Sequence, residues 1–337
     1  MYAGKLPNSE LQKIVLGKIK NFKKEVLVGA GIGEDCSVID FGGNLCVITS
    51  DPITAASENS GELAVNVCCN DLAAKGAEPL GLMVTLLFPP GIEKAQIEKI
   101  VDEICYASFS KDMQIIGGHT EITPSVNSVV ISCTALGTLD KNLFNNIPKP
   151  EPGDDIVMTK HAGLEGTAII ASEYEKELTL FFGKDFVSEC KSYYTLTSVL
   201  EDSREARKHG FKSMHDATEG GILGALWELI YSTGYGADIY KNEISVTKTT
   251  HTLCEYFDID PLRLISSGCL LIICPDGKEL CRKLKDKGIN ANVIGKLKTE
   301  KGMFLIDGID GIDGKNRIDI DEPQSDELYK VIKKVFK

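Results

Sequence analysis

Carboxylates and glycines recur in four short segments in the first half of the chain, each at or near the end of a strand or helix. The first is GAGIGEDCSV, Gly29 to Val38. Its glycines, Gly33 among them, let backbone N–H groups approach a phosphate, and Asp35 follows at the strand-like exit. Alone it matches neither a phosphate loop ending in Gly-Lys-Ser/Thr nor the G-x-G-x-x-G fingerprint, and a plain turn is the simpler reading. The second is TSDPIT, where Asp51 follows an apolar strand ending at Ile48 and presents a carboxylate at a sheet edge or end. The third, VNVCCNDLAAKGAEP, sets Asn70 and Asp71 inside an otherwise apolar helix. Burying a carboxylate is costly unless a cation or hydrogen bonds compensate it, so Asp71 invites a metal. On that segment alone, an Asp exposed on the polar face of an amphipathic helix fits slightly better. The fourth, IIGGHTEIT, is a short strand, a Gly117-Gly118 turn, then His119, Thr120 and Glu121. Asp35, Asp51 and Asp71, joined by the imidazole and carboxylate of that turn, offer hard oxygen ligands for one or two Mg²⁺ ions. Such ions bridge the oxygens of a triphosphate.

The elements that must position these residues alternate between strand and helix. NLCVIT near Asn44 and GLMVTLLF from Gly81 read as strands around an apolar-rich segment from Glu62 to Lys75. A charged helix from about Glu93 to Phe109, a short MQII strand and the strand NSVVISCTAL follow. The stretch NNIPKPEPGDD, Asn145 to Asp155, has three prolines and breaks both helix and strand, so it predicts a boundary between domains 1–147 and 148–337. Beyond it come the strand IVMT, a helix opening near Gly163, a long polar helical region to Lys208 and a helix from Glu219 to Thr233. The strand CLLIIC, a helix from Lys278 to Lys287, the strand ANVIGKL and a last helix from Asp326 complete the chain. The repeat IDGIDGIDG, Ile306 to Gly314, reads as tight turns, because it lacks the alternating ligands and terminal Glu of a calcium loop. The expected fold class is mixed α/β (α+β) in two domains.

Composition narrows the function classes. Apolar residues at 43% and charged residues at 26% describe a globular chain. A net charge of −12 opposes a phosphate backbone and argues against nucleic acid. No apolar run approaches the roughly 20 residues that span a bilayer, and MYAGKLPNSE lacks a signal-peptide core, so no membrane contact and a cytoplasmic location are expected. Eleven cysteines without a C-x-x-C spacing read as buried, reduced thiols.

The order of the four segments resembles a known family. GIGEDCSVI, SDPI, AVNVCCNDLAAKGAEP and IIGGHTE look like the N-terminal half of the aminoimidazole-ribonucleotide (AIR) synthase superfamily. Its members include AIR synthase, thiamine-monophosphate kinase, selenophosphate synthetase and the hydrogenase maturation protein HypE. The second half resembles HypE-like members through MTKHAGLEGTAIIA, HDATEGGILGALWE and DELYKVI. The resemblance implies a two-domain PurM-like fold that dimerises through its N-terminal sheets, with ATP in a groove between the halves and its phosphates held by Mg²⁺. Carried over, Asp35, Asp51 and Asp71 match the acidic metal and phosphate-site residues, with Asn70 beside the last. Gly117, Gly118 and Thr120 match the glycine-rich turn, and His119 stands where thiamine-monophosphate kinases have an aspartate and selenophosphate synthetases the same GGHT. Asp216 matches the aspartate that opens the glycine-rich helix of the second domain.

Departures narrow the branch. HypE-type dehydration acts on a C-terminal cysteine, whereas this sequence ends KVIKKVFK with its last cysteine at Cys281. Arginines flank the matching aspartate in HypE, where this chain has His215 and Glu219. The reactive cysteine of selenophosphate synthetase has no counterpart before Cys36, which reads as packing, and Lys5 is placed to reach a phosphate only if the N-terminal arm folds over the site. The resemblance therefore implies an ATP- and Mg²⁺-dependent enzyme that phosphorylates or activates an oxygen of a small metabolite, with Asp216 orienting the acceptor and His215 as proton acceptor. The alternative is a HypE-like ATP-binding accessory factor with a maturation partner protein.

Overall fold

The computed structural model describes residues 7–19, 23–54, 58–307, 317–323 and 325–332. Lys5 and most of the IDGIDGIDG repeat lie outside them. The first sheet contains β1 (Val26–Val28), β2 (Ser37–Asp40), β3 (Leu45–Ile53), β4 (Glu78–Phe88), β5 (Gln114–Ile122) and β6 (Val130–Leu139), in the order β1-β2-β3-β6-β4-β5. Its neighbours are antiparallel except β4 and β5, which run parallel. Helices α1 (Asn8–Ile14), α2 (Ser60–Ala74), α3 (Lys94–Ser110) and α4 (Lys141–Asn146) accompany it. Buried and half-buried residues alternate along β6, as a sheet covered on one face requires, and α2 is the main cover.

The second sheet follows the proline-rich stretch. It contains β7 (Asp155–Thr159), β8 (Ser213–Asp216), β9 (Gly236–Tyr240), β10 (Leu270–Cys274), β11 (Ala291–Lys298), β12 (Met303–Ile306) and β13 (Arg317–Asp319). The strand order is β13-β12-β9-β11-β7-β10-β8, antiparallel except between β9 and β12. Its helices are α5 (Leu164–Glu173), α6 (Glu175–Phe182), α7 (Lys184–Ser192), α8 (Leu200–His209), α9 (Gly221–Thr233), α10 (Lys248–Phe257), α11 (Gly277–Asp286) and α12 (Leu328–Ile332). The architecture is mixed α/β, as the sequence implies.

Helix α2 joins the two halves. Fourteen of its fifteen residues are buried, so it has no solvent face. One continuous core links Val65, Cys69 and Leu72 of α2 to Val47, Leu82 and Ile131 of the first sheet and to Met214, Leu270 and Ile272 of the second. Each fully buried Leu, Val or Ile in such a core contributes about 1.5–3 kcal/mol. Polar bonds fix the register: Asn66 Nδ2 donates to Thr197 Oγ1 at 2.8 Å, and Ser203 donates to the Ala73 carbonyl.

Two expectations need correction. Asp71 does not lie on a polar helix face, because α2 has none. The expected turn at Gly117-Gly118 is instead the middle of a continuous nine-residue strand, β5. Gly118 has φ +154°, and a Cβ there would lie 1.9 Å from the Val84 carbonyl oxygen. Its hydrogen side chain lets β5 close onto β4, so this glycine extends the strand where the sequence suggests a break.

Candidate functional site

Four aspartates from four segments meet where α2 faces the ends of both sheets. Thr49 and Asp51 lie two residues apart on β3 and point to the face that α2 covers. Asp71, in the last turn of α2, accepts a hydrogen bond from Thr49 Oγ1, whose oxygen also lies 3.4 Å from Asp51 Oδ2. Asp216 ends β8 and is buried, and Asp35 enters from the loop before β2. Burial raises the Asp71 carboxyl well above the usual carboxylate range, and the charges of Asp216, Asp51 and Asp35 push it further. Three carboxylates thus bear on a fourth, and while no cation compensates them they disfavour a charge on Asp71.

The loop carrying Asp35 is shaped by Gly33. This residue has φ +75°, and a Cβ there would fall 2.9 Å from the Glu228 carbonyl oxygen on α9. The glycine thus lets the loop seat against the second domain and brings Asp35 to His215. His215 Nδ1 lies 2.8 Å from Asp35 Oδ2, and Nε2 lies 3.1 Å from Glu228 Oε2. Burial pulls the imidazole pKa down, but the two flanking carboxylates outweigh it and raise it well above the ordinary value. His215 is buried with both ring nitrogens engaged by carboxylates. In this arrangement neither nitrogen is open for its expected role as a proton acceptor, and the ring braces Asp35 across the domain boundary.

Other expected residues fall elsewhere. Asn70 is fully buried; its Nδ2 donates to the Thr197 carbonyl at 2.7 Å and its Oδ1 accepts from the Val199 N–H at 2.8 Å. Both polar atoms tie α2 to the second domain and leave nothing for a phosphate, so Asn70 is corrected to a structural residue. Asp51, Cys133, Val84 and Gly118 form one row across β3, β6, β4 and β5. Three strand spacings separate the first from the last, about 14 Å. His119 pairs with Thr85, and so projects from the sheet face opposite the aspartates, where it lies 3.3 Å from Glu121. Within one chain, then, Gly117, Gly118, His119 and Thr120 do not converge with the aspartates. Cys36 is buried beside Asp71 and Asp35, with burial and those charges raising its thiol pKa, which suits packing and not nucleophilic chemistry.

Two participants were missed. Thr49 was legible as the residue two before Asp51 on a strand. Glu228 was not, because its meeting with His215 depends on how α9 packs. Among the described residues, no three His, Cys, Asp or Glu side chains are disposed as a ready metal cage. That still fits Mg²⁺, which keeps several waters and takes one or two carboxylates together with substrate phosphates.

Comparison with known proteins agrees with this architecture. The model described as AIR synthase related protein, N-terminal domain, matches residues 33–139, and that for the C-terminal domain matches residues 151–308. A Methanocaldococcus jannaschii protein that carries the name hydrogenase expression/formation protein is 28% identical over 334 residues, 95% of this chain and 96% of that one. The carbamoyl dehydratase HypE of Bradyrhizobium diazoefficiens is 27% identical over 252 residues, covering 72% and 71% of the two chains. A crystal structure titled as HypE in complex with ATP shares the fold at a TM-score of 0.67, with 16% identity and 98% of each chain covered. With both domain models matched in order along one chain, this protein belongs to the AIR synthase related family.

Proposed function

We propose that this protein binds ATP with Mg²⁺ over the aspartate cluster and uses it to phosphorylate or activate an oxygen on a small molecule. The observation that carries the proposal is the buried Asp71 surrounded by Asp35, Asp51 and Asp216, an arrangement that is unfavourable until a divalent cation compensates it. Asp51 and Asp71, already linked through Thr49, are the side chains that would hold the cation. Bound there, Mg²⁺ supplies charge neutralisation to phosphate oxygens during transfer. Asp216, facing the cluster from the second sheet, orients the acceptor. His215 keeps Asp35 in place. The likeness to an ATP-bound HypE structure supports the nucleotide.

Dimerisation through the first sheet accompanies this reading. Its open face exposes Met83 and Leu80 on β4 and Ile116 on β5, an apolar surface that a second copy would cover. His119 shares that side of the sheet and would sit at the interface.

The names of the relatives favour a second reading, a hydrogenase-maturation accessory factor that binds ATP with a partner protein. Titration calorimetry tests the shared step: ATP should bind with Mg²⁺ and lose affinity in chelator. Asp71→Asn, which removes a charge and almost no volume, should abolish the Mg²⁺-dependent part; unchanged affinity in that variant would falsify the metal assignment. Steady ADP release with a small metabolite separates the enzyme from the accessory factor.

A further inference from the structure

A second group of buried carboxyls lies just past the aspartate cluster and has no part in the nucleotide reading. A cavity of about 60 Å³ opens where β3 ends, lined by Glu165 of α5, Glu219 of the loop before α9, and Asp326 and Tyr329 of the C-terminal segment. Ile53 and Leu63 supply apolar wall. Among the described residues, no lysine, arginine or histidine lines it. At roughly 10–15 Å³ per water-sized site, the space admits about four non-hydrogen atoms.

The carboxyls differ in how well they are satisfied. Asp326 is held by three backbone donors: Gly220 N–H on Oδ2 at 2.7 Å, and Leu328 and Ile265 N–H on Oδ1 at 2.8 and 3.2 Å. Glu219 accepts from the Tyr329 hydroxyl at 2.8 Å. Glu165 is only 2% exposed; Ser267 lies beside it and opposes the rise of its pKa, but its Oε2 has no partner within hydrogen-bond geometry. A buried acceptor left in this state is costly, which points to a donor that enters from outside. Burial pushes both Glu165 and Asp326 up to about 7, as expected of carboxyls whose charge no neighbouring cation offsets. The absence of a three-ligand metal cage among the described residues, together with the apolar walls, favours an organic cation over a metal ion.

We propose that this cavity binds a small organic cation, an ammonium or amidinium group, carried by the molecule on which the nucleotide acts. The cation pocket stands on its own residues; its place at the acceptor end rests on the nucleotide reading above. Recognition would consist of N–H donation to Glu165 Oε2, with Glu219 and Asp326 supplying further negative charge.

Saturation-transfer NMR on the full chain, with acetamidinium chloride as probe and acetamide and potassium chloride as controls, tests this. The wild type should bind acetamidinium and not acetamide, with potassium failing to compete at equal concentration. Glu165→Gln should weaken binding about tenfold or more, the expected loss for one charge-assisted hydrogen bond, and Glu219→Gln should weaken it too. Urea unfolding of each variant checks that it folds. ATP·Mg²⁺ affinity, measured alongside, should survive Glu165→Gln; if wild type itself fails to bind ATP, the nucleotide reading falls while the cation result is judged separately. Equal binding of acetamide, displacement by potassium, or wild-type binding in a folded Glu165→Gln would overturn the proposal.

Discussion

Replacing Glu165 by Gln should make the ligand-free protein more stable, and the gain should grow with pH. The folded state raises the Glu165 carboxyl from its ordinary 4.5 to about 7, chiefly through burial, with Asp326 and Glu219 adding like charge and Ser267 opposing. Below the ordinary value both states carry the proton and the group is neutral to stability. As pH rises through 4.5, the unfolded chain releases the proton while the folded chain keeps it, so unfolding gains about 1.4 kcal/mol per pH unit. Across the interval from 4.5 to about 7 this amounts to roughly 3 kcal/mol, after which the penalty is constant. Gln matches the shape of the protonated acid and cannot ionise. Urea unfolding from pH 5 to pH 8 should therefore show the variant less than about 1 kcal/mol more stable at the acid end and roughly 3 kcal/mol more stable at the alkaline end. Other titrating groups, Asp326 included, act in both proteins, so the difference between the curves reports mainly on Glu165 and its coupling. Parallel curves, or a variant weaker than wild type at pH 8, would show that Glu165 is solvated or already paired, and the reasoning would fail.

Three further perturbations probe the scaffold. His215→Gln leaves Asp35 and Glu228 facing each other without the cation between them and should cost about 3–5 kcal/mol in chemical denaturation; a change under 1 kcal/mol would mean that the strut carries no load. Gly118→Ala should destabilise by roughly 1–3 kcal/mol and speed amide exchange along β5. Gly117→Ala, whose Cβ would meet nothing nearer than Met83 Cε at 3.9 Å, should be close to neutral, and equal effects at the two sites would contradict the close approach to Val84. Burial raises Glu78, but Arg204 and Arg207 outweigh it and lower its pKa, so the clamp it forms adds stability above the ordinary carboxylate value and loses it as pH falls through the lowered one. Because Glu78 is partly exposed, Glu78→Gln should cost no more than about 1 kcal/mol at pH 7 and nothing once acid has protonated the wild type; an unchanged gap in acid would rule this out.

Local pattern carried the fold a long way. Strands such as β3, β6 and β10 and helices α3 and α11 are legible because their apolar periodicity and breakers are local. The family order of motifs placed Asp35, Asp51, Asp71 and Asp216 in one reading, and the structure couples their charges. What was not legible depends on distant partners. Asn70 has the composition of a ligand, but Thr197 and Val199 occupy it from the other domain. His215 next to Asp216 suggests a base until Glu228 arrives from α9 and closes its second nitrogen. Gly118 looks like a turn because a single sequence does not reveal that a neighbouring carbonyl lies where its Cβ would be. The carboxyl pocket is built from α5, the α9 entry and the C-terminal segment, far apart in sequence, and no local spacing announces it.

The two acidic sites share their supports, and those supports tie one site to the other. β3 carries Asp51 into the cluster and the residues directly after it, Pro52 and Ile53, into the cavity wall, so the two sites adjoin along this strand. α2 carries Asp71 into the cluster and Leu63 into the same cavity wall, a separation of about 12 Å along the helix. Both are backbone elements of the continuous core, so the spacing is rigid on the scale of side-chain motion. On the nucleotide reading proposed above, a single molecule with an oxygen at the aspartates and a cationic nitrogen against Glu165 would have to follow that shared wall from one site to the other, and the rigid supports make this a fixed demand on its length.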